Sequence, residues 1–228
     1  MDITMAITAD QRERLSNLHS ALINDITDEM GIRNNVIPCT RLEALWSRDP
    51  VIGTAHPAQR VEIGYEKEDD EGEDEEIEFF EYLEDTDPGD FVVMAAPTGT
   101  RVGLWGELLS TIVQENGAEG ALIDGPTRDS RLIEEHEFPV WAEGHSAIES
   151  FGRVAFAEYD VPVQIDGVTI EPGDVVFADY ESIVVIEPSV LDQVIEEGEE
   201  ELETENNVRA DIRDGDSVYE VWDRYGTL

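Results

Sequence analysis

The tripeptide Pro-Gly-Asp occurs twice, at Pro88-Gly89-Asp90 and Pro172-Gly173-Asp174. Each copy runs straight into an apolar stretch, Phe91-Val92-Val93-Met94-Ala95 and Val175-Val176-Phe177-Ala178. Proline presets one turn position and glycine supplies the next, so each unit reads as a tight turn feeding a buried strand. Two such units point to a sheet-rich core without establishing an internal repeat.

Between and around them the periodicity alternates. Residues 9 to 30 place Leu15, Leu18, Leu22, Ile23, Ile26 and Met30 near helical spacing, with Gly31 as the stop. A loop through Pro38 follows, then strand material at 51–55 and 61–63. Residues 108–115 read as a helix stopped by Asn116-Gly117, 120–123 as a short buried strand, 128–135 as a helix and 139–142 as a strand. Short strands are then expected at 161–163, 168–170 and 183–186. Pro188 opens a helix through Val194 with a charged continuation. A last amphipathic helix is expected over 207–225, with Val208, Ile212, Val218, Val221 and Trp222 inward. Strand–helix–strand in the middle and consecutive strands later define a mixed α/β layered fold. A doubly wound nucleotide fold wants a Gly-rich turn after its first strand, and Gly-Pro-Thr-Arg-Asp is not that pattern.

Charge is the next constraint. Fifty-five acidic residues face fourteen basic ones, a net charge of -41, and Lys67 is the only lysine. Self-repulsion on this scale destabilises a compact state at low ionic strength. Salt relieves it, because the screening length falls from about 30 Å at 0.01 M to about 3 Å at 1 M. The acids are spread through every segment, which points to a halophile and a salt-adapted cytoplasm. The same charge excludes a phosphate-binding surface, so no nucleic-acid partner is expected. The densest run, 67–84, reads as a solvated loop, an acidic insertion whose later aromatics, Phe79, Phe80 and Tyr82, dock on the body. It lacks the ordered spacing of a calcium loop. A chain of 228 residues suffices for one well-filled domain. Cys39 is alone, residues 1–15 carry no signal-like apolar core, and no apolar run approaches membrane-span length. A soluble, cytoplasmic protein with no membrane partner is the expectation.

The chemistry concentrates in one stretch. Gly106-Glu107-Leu108-Leu109 opens the 108–115 helix, whose first amides lack intrahelical partners and favour an anion. A substrate carboxylate fits there; equally, Glu107 serves the dipole of its own helix. Arg128 follows the Asp124-Gly125-Pro126 turn, where a planar fork suits a carboxylate. The plain alternative is an ion pair with Glu107 or Asp124. Asp129 suits a hard cation such as Mg²⁺, or else an N-cap, and Asp124 closes its turn. The four histidines, His19, His56, His136 and His145, show no ligand spacing and read as surface or core residues.

These residues together resemble the RraA-like proteins, a group that includes the 4-hydroxy-4-methyl-2-oxoglutarate/4-carboxy-4-hydroxy-2-oxoadipate aldolases. The likeness runs from Gly106-Glu107-Leu108-Leu109 through Gly117, Gly120, Asp124-Gly125 and Arg128-Asp129. It continues through Phe138-Pro139-Val140, Gly167-Val168, Pro172-Gly173-Asp174 and Ala178-Asp179. It covers about residues 15–188, leaving the 67–84 insertion and a helical extension, 189–228, outside the common pattern. Where the aldolases usually show Asp, Glu107 stands twenty intervening positions before Arg128-Asp129, and Tyr180-Glu181-Ser182 replaces the family's Asp-Gly.

The resemblance implies a single-domain, swivelling β/β/α-type layered fold with terminal helices, assembled as a homotrimer or dimer of trimers. It implies substrate binding at 106–109 and Arg128, and a divalent metal, Mg²⁺ or Mn²⁺, at Asp129. The expected activity is a metal-dependent lyase that cleaves or decarboxylates a small 2-oxo acid, oxaloacetate included, to pyruvate. The route is a metal-stabilised enolate, with Arg128 steadying the anion and Glu107 orienting Arg128 or a water. A Schiff-base route needs a desolvated lysine, which Lys67 in an acidic run is not. The alternative is a non-catalytic, protein-binding regulator of ribonuclease activity.

Overall fold

The computed structural model describes residues 7–63 and 72–228; Lys67 and the first part of the acidic run lie outside the described residues. Numbered in chain order, four neighbouring strands run parallel: β3 (Val51–Glu62), β4 (Asp90–Ala95), β5 (Gly120–Ile123) and β6 (Val140–Ala142). Each parallel step requires a crossover. Here these are α3 (Gly72–Glu84), α4 (Glu107–Asn116) and α5 (Ser130–Glu135). On the far side of β3 the sheet turns antiparallel through β10 (Val175–Ala178), β11 (Ser182–Ile186) and β1 (Val36–Pro38). The short β2 (Glu43–Ala44) closes the other edge on β6, and β7 (Val154–Tyr159) pairs with the second half of β3.

Side-chain alternation explains the layers. Val92 and Met94 face one way with Ala121 and Ile123, packing on Val113 of α4 and Ile133 of α5. Phe91, Val93 and Ala95 face the other way with Leu122 and Trp141. There they meet a separate hairpin, β8 (Val163–Ile165) and β9 (Val168–Ile170). Burying a side chain such as Phe91 stabilises by about 1.5–3 kcal/mol, so neither face tolerates water. The terminal helices α1 (Ala9–Leu15), α2 (Ser20–Glu29) and α6 (Leu191–Asp214) cover the antiparallel wing through Leu22, Ile23, Val194 and Ile195. The layering is β/β/α with helices at both ends. Among the described residues no helix is long and apolar enough to cross a membrane.

Both Pro-Gly-Asp units form one kind of turn. Gly89 (φ 96°) and Gly173 (φ 89°) take the left-handed conformation a type II turn requires. In each turn the aspartate side chain accepts from the backbone three residues earlier, Asp87 N to Asp90 and Glu171 N to Asp174, both at 2.8 Å. The two turns flank Thr54 of β3, which is in register with Asp90 on one side and Val175 on the other.

Several local expectations need correction. The 9–30 helix is two helices. Ser16 closes α1, and His19 Nδ1 accepts from Leu22 N at 3.2 Å to start α2. Residues 51–62 form one strand rather than two, carrying Pro57 inside it and a register shift at Gln59/Arg60, and Ile63 lies just beyond it. The later half of the acidic run is helix α3, not loop. Tyr82 and Leu83 are buried, Phe79 lies under Arg60, and Phe80 stays exposed. After a 3-10 turn at Pro188–Val190, α6 continues to Asp214. Gly215 in the left-handed region ends it, and α7 (Val218–Tyr225) starts on the Ser217 capping box. Val208 and Val221 point inward as expected, whereas Ile212, Val218 and Trp222 are exposed. The 128–135 helix begins at Ser130, and β1, β2 and β7 carry no periodicity strong enough to read beforehand.

Candidate functional site

Parallel strands present their carboxyl ends to one side, where ligands of open α/β sheets commonly bind. The loops after β4, β5 and β6 converge on that side around Thr127. Thr127 bridges to Trp105 in one loop and to His145 in another. Its N–H donates to Gly144 O at 3.0 Å and its O accepts from Ser146 N at 2.7 Å. Arg128 N donates to Trp105 O at 2.7 Å. Backbone bonds therefore fix Thr127 and Arg128, immediately before Asp129.

Arg128 and Asp129 lie against the start of α4. A Cβ placed on Gly106 would stand 3.0 Å from Asp129 Oδ2 and 3.1 Å from Arg128 Cγ. One on Gly103 would meet Ser146 O at 2.6 Å and Arg128 Cβ at 3.1 Å. Glycine is needed at 103, where a Cβ would strike backbone, whereas at 106 the two side chains would have to give by a few tenths of an ångström. Asp129 itself is left-handed (φ 54°, ψ 25°), a conformation rare outside glycine and most tolerated by Asn and Asp. It precedes α5 but makes no side-chain cap, so its carboxylate is left facing the cleft beside Arg128 Nε at 3.3 Å.

Gly106 is the N-cap of α4 and supplies no side-chain cap, which leaves the opening amides of 107–109 available to an anion. Glu107 turns along its helix, accepting from Thr111 Oγ1 at 3.1 Å and standing 3.3 Å from His136 Nε2. Neither ion pair weighed for Arg128 forms: Glu107 goes to His136, and Asp124 goes to Arg41 at 2.7 Å. Leu108 is 72% exposed and Leu109 is half-buried against the core.

A cleft of about 340 Å³ opens over Thr127, Arg128, Asp129, Ser130, His145 and Ser146. His145 and His136, expected as ordinary surface or core residues, are brought by the fold to the cleft and to Glu107 respectively. Ser130 was likewise overlooked. Ser130 directly follows, and His145 lies within, a loop at the carboxyl end of a strand, which is a usable signal; His136 ends α5 and carries none.

The RraA-like family model, described as Aldolase/RraA, matches residues 20–185. The chain belongs to that family. This RraA-like chain is 26% identical over 216 residues to Protein DlpA of Legionella pneumophila, covering 93% of this chain and 33% of that protein. An uncharacterised Methanocaldococcus jannaschii protein is 33% identical over 119 residues, 52% of this chain and 56% of its own. A Halorhodospira halophila protein carrying the provisional name 4-hydroxy-4-methyl-2-oxoglutarate aldolase is 37% identical over 100 residues, 43% and 60% of the two chains. The chain thus spans a third of the Legionella relative and less than two thirds of the other two. Among solved structures, RraAS2 of Streptomyces coelicolor is described as an unusual member of the RNase ES inhibitor RraA protein family. It superposes with a TM-score of 0.78 at 26% identity, covering 90% of this chain and 98% of that one. An uncharacterised Pseudomonas syringae protein shares the fold at a TM-score of 0.83 and 20% identity, over 99% and 98% of the chains.

Among the described residues no three His, Cys, Asp or Glu side chains converge into a ready-made metal cage. The Asp129 carboxylate, open to the cleft, is a donor of the kind a Mg²⁺-type ion uses. Such ions commonly take one or two carboxylates and complete the shell with water and substrate oxygens.

Proposed function

We propose that this RraA-like chain is a divalent-metal lyase that cleaves a 4-hydroxy-2-oxo acid by retro-aldol reaction, or decarboxylates oxaloacetate, to give pyruvate. The observation carrying this reading is the packing of Arg128 and Asp129 onto Gly106. It sets the guanidinium and carboxylate that line one small cleft against the uncapped opening of α4. In this reading the amides of Glu107, Leu108 and Leu109 take the substrate carboxylate. The Arg128 fork binds the oxo-acid end and steadies negative charge as it develops on the 2-oxo oxygen. Asp129 holds Mg²⁺ or Mn²⁺, which when bound supplies Lewis-acid charge to the 2-oxo group. Glu107, fixed by Thr111 and His136, positions a water for proton transfer rather than steering Arg128.

The aldolase names of relatives support the same reaction class. A homotrimer or dimer of trimers in a salt-adapted cytoplasm belongs to this reading. Leu108 and Ile112, exposed one turn apart on α4, offer apolar area to a neighbouring copy.

The test is pyruvate release from 4-hydroxy-4-methyl-2-oxoglutarate and from oxaloacetate, with and without Mg²⁺ or Mn²⁺. Arg128→Ala, Asp129→Ala and Glu107→Ala should each lower turnover by about 100-fold or more. Full metal-dependent turnover by Asp129→Ala or Glu107→Ala would count heavily against the assignment. The second reading, a non-catalytic regulator of ribonuclease activity, draws on the description of the Streptomyces relative. Capture of ribonuclease components by a chain without lyase activity would favour it.

A further inference from the structure

With all three contacts made as hydrogen bonds, the hydroxyl chain at the cleft has one consistent assignment of protons. Thr127 Oγ1 lies 3.2 Å from Gly144 O, and a carbonyl can only accept, so the single Thr127 hydroxyl proton points there. The 3.0 Å contact between Thr127 Oγ1 and Ser130 Oγ is then donated by Ser130. Ser130 has no second proton, so the 2.8 Å contact between Ser130 Oγ and His145 Nδ1 is donated by the imidazole. Neutral His145 is thereby held as the Nδ1–H tautomer with a bare Nε2. No hydrogen bond from a described residue occupies Nε2, and the ring lines the same cleft as Arg128 and Asp129. Thr127 is wholly buried and pinned by backbone bonds on both sides, so the chain is anchored at its root.

We propose that His145 is the base for the alcohol of a 4-hydroxy-2-oxo acid, an inference that rests on the lyase reading above. Nε2 removes the proton from the C4 hydroxyl. The C4–O bond becomes a carbonyl as the C3–C4 bond breaks, and that electron pair passes into the enolate of pyruvate. The imidazolium then returns the proton to C3. The products are pyruvate and a second carbonyl compound, with no change of oxidation state overall. A base held in the correct tautomer by a neighbouring hydroxyl is a recurring arrangement in acid–base catalysis. Decarboxylation of oxaloacetate has no alcohol proton to remove, so the two reactions separate the role of His145 from that of the rest of the site.

The experiment compares wild type with His145→Asn, whose side-chain amide can still donate to Ser130. Cleavage of 4-hydroxy-4-methyl-2-oxoglutarate is expected to fall by at least roughly 100-fold. Oxaloacetate decarboxylation, which has no alcohol proton to remove, should fall by much less than cleavage does. Equal losses in both reactions, or none in cleavage, overturn the base. If wild type performs neither reaction with Mg²⁺ or Mn²⁺, the lyase reading itself falls and the base falls with it. A readout independent of turnover is the ¹H–¹⁵N long-range correlation of His145 in wild type and Ser130→Ala. Wild type should show a protonated Nδ1 and bare Nε2, and Ser130→Ala should lose that preference. The opposite tautomer in wild type, or no change in Ser130→Ala, refutes the proton assignment.

Discussion

Arg41 Nη2 donates to Asp124 Oδ1 at 2.7 Å, and the same guanidinium reaches Asp166 at 2.8 Å and Glu143 at 3.1 Å. Asp124 directly follows the buried strand β5 and is 5% exposed, while Asp166 sits in the tight turn of the β8–β9 hairpin. One cation therefore ties the hairpin layer to the carboxyl end of the parallel sheet. Burial pushes the Asp124 carboxyl above its ordinary value, and Arg41 pulls it back down. Arg41→Ala leaves that carboxylate buried without its partner and should cost about 3 kcal/mol. The check is the urea midpoint at unchanged slope. Adding Asp124→Asn should recover part of the loss, because an amide carries no charge to strand. A midpoint equal to wild type for Arg41→Ala would show that the pair contributes nothing.

Gly106→Ala tests the contact between α4 and the Arg128-Asp129 pair. The added methyl meets Asp129 Oδ2 at 3.0 Å and Arg128 Cγ at 3.1 Å, so these side chains must shift by a few tenths of an ångström. Gly106 is extended (φ −146°), which alanine adopts without strain, so the effect on the fold should stay within about 1 kcal/mol. Lyase turnover should fall by about 100-fold through displaced site groups. Retained turnover would mean that the reaction does not use this corner.

Stability should rise as pH falls toward the ordinary carboxyl value of 3.8 in low salt. The carboxyls of Asp90, Asp124 and Asp174 are all raised, chiefly by burial. A raised carboxyl binds its proton more tightly folded than unfolded. Its contribution is complete below the ordinary value of 3.8 and is lost as pH rises through the elevated folded value. Asp174→Asn should flatten the profile. A Tm that declines as pH is lowered over that window contradicts the sign.

Tm should also climb with salt between about 0.05 M and about 3 M KCl, as screening weakens the repulsion among acids. The relevant quantity is the net charge of -41. A protein equally stable across that range is not salt-adapted.

Much of the scaffold was legible before folding because the signals are local. Both Pro-Gly-Asp turns, the strand over 91–95 and the α4 stop at Gly117 follow from φ preferences and apolar runs within a few residues. Helix lengths were less legible. A loop that breaks α1 from α2 leaves the leucine spacing of residues 9–30 nearly intact, and α3 hides its helix within an acid-rich composition.

The sequence by itself determined several of the buried strands, where α4 begins, and that Arg128 and Asp129 follow the Asp124-Gly125-Pro126 turn. Only the tertiary structure decided that His145 meets Ser130, that Arg41 finds Asp124, and that Glu107 turns to His136. Those meetings depend on β4, β5 and β6 lying side by side, so that three loops end at one place. Strand order is a property of the whole packed sheet. Periodicity records which face of a segment is buried, but not which segment will lie beside it.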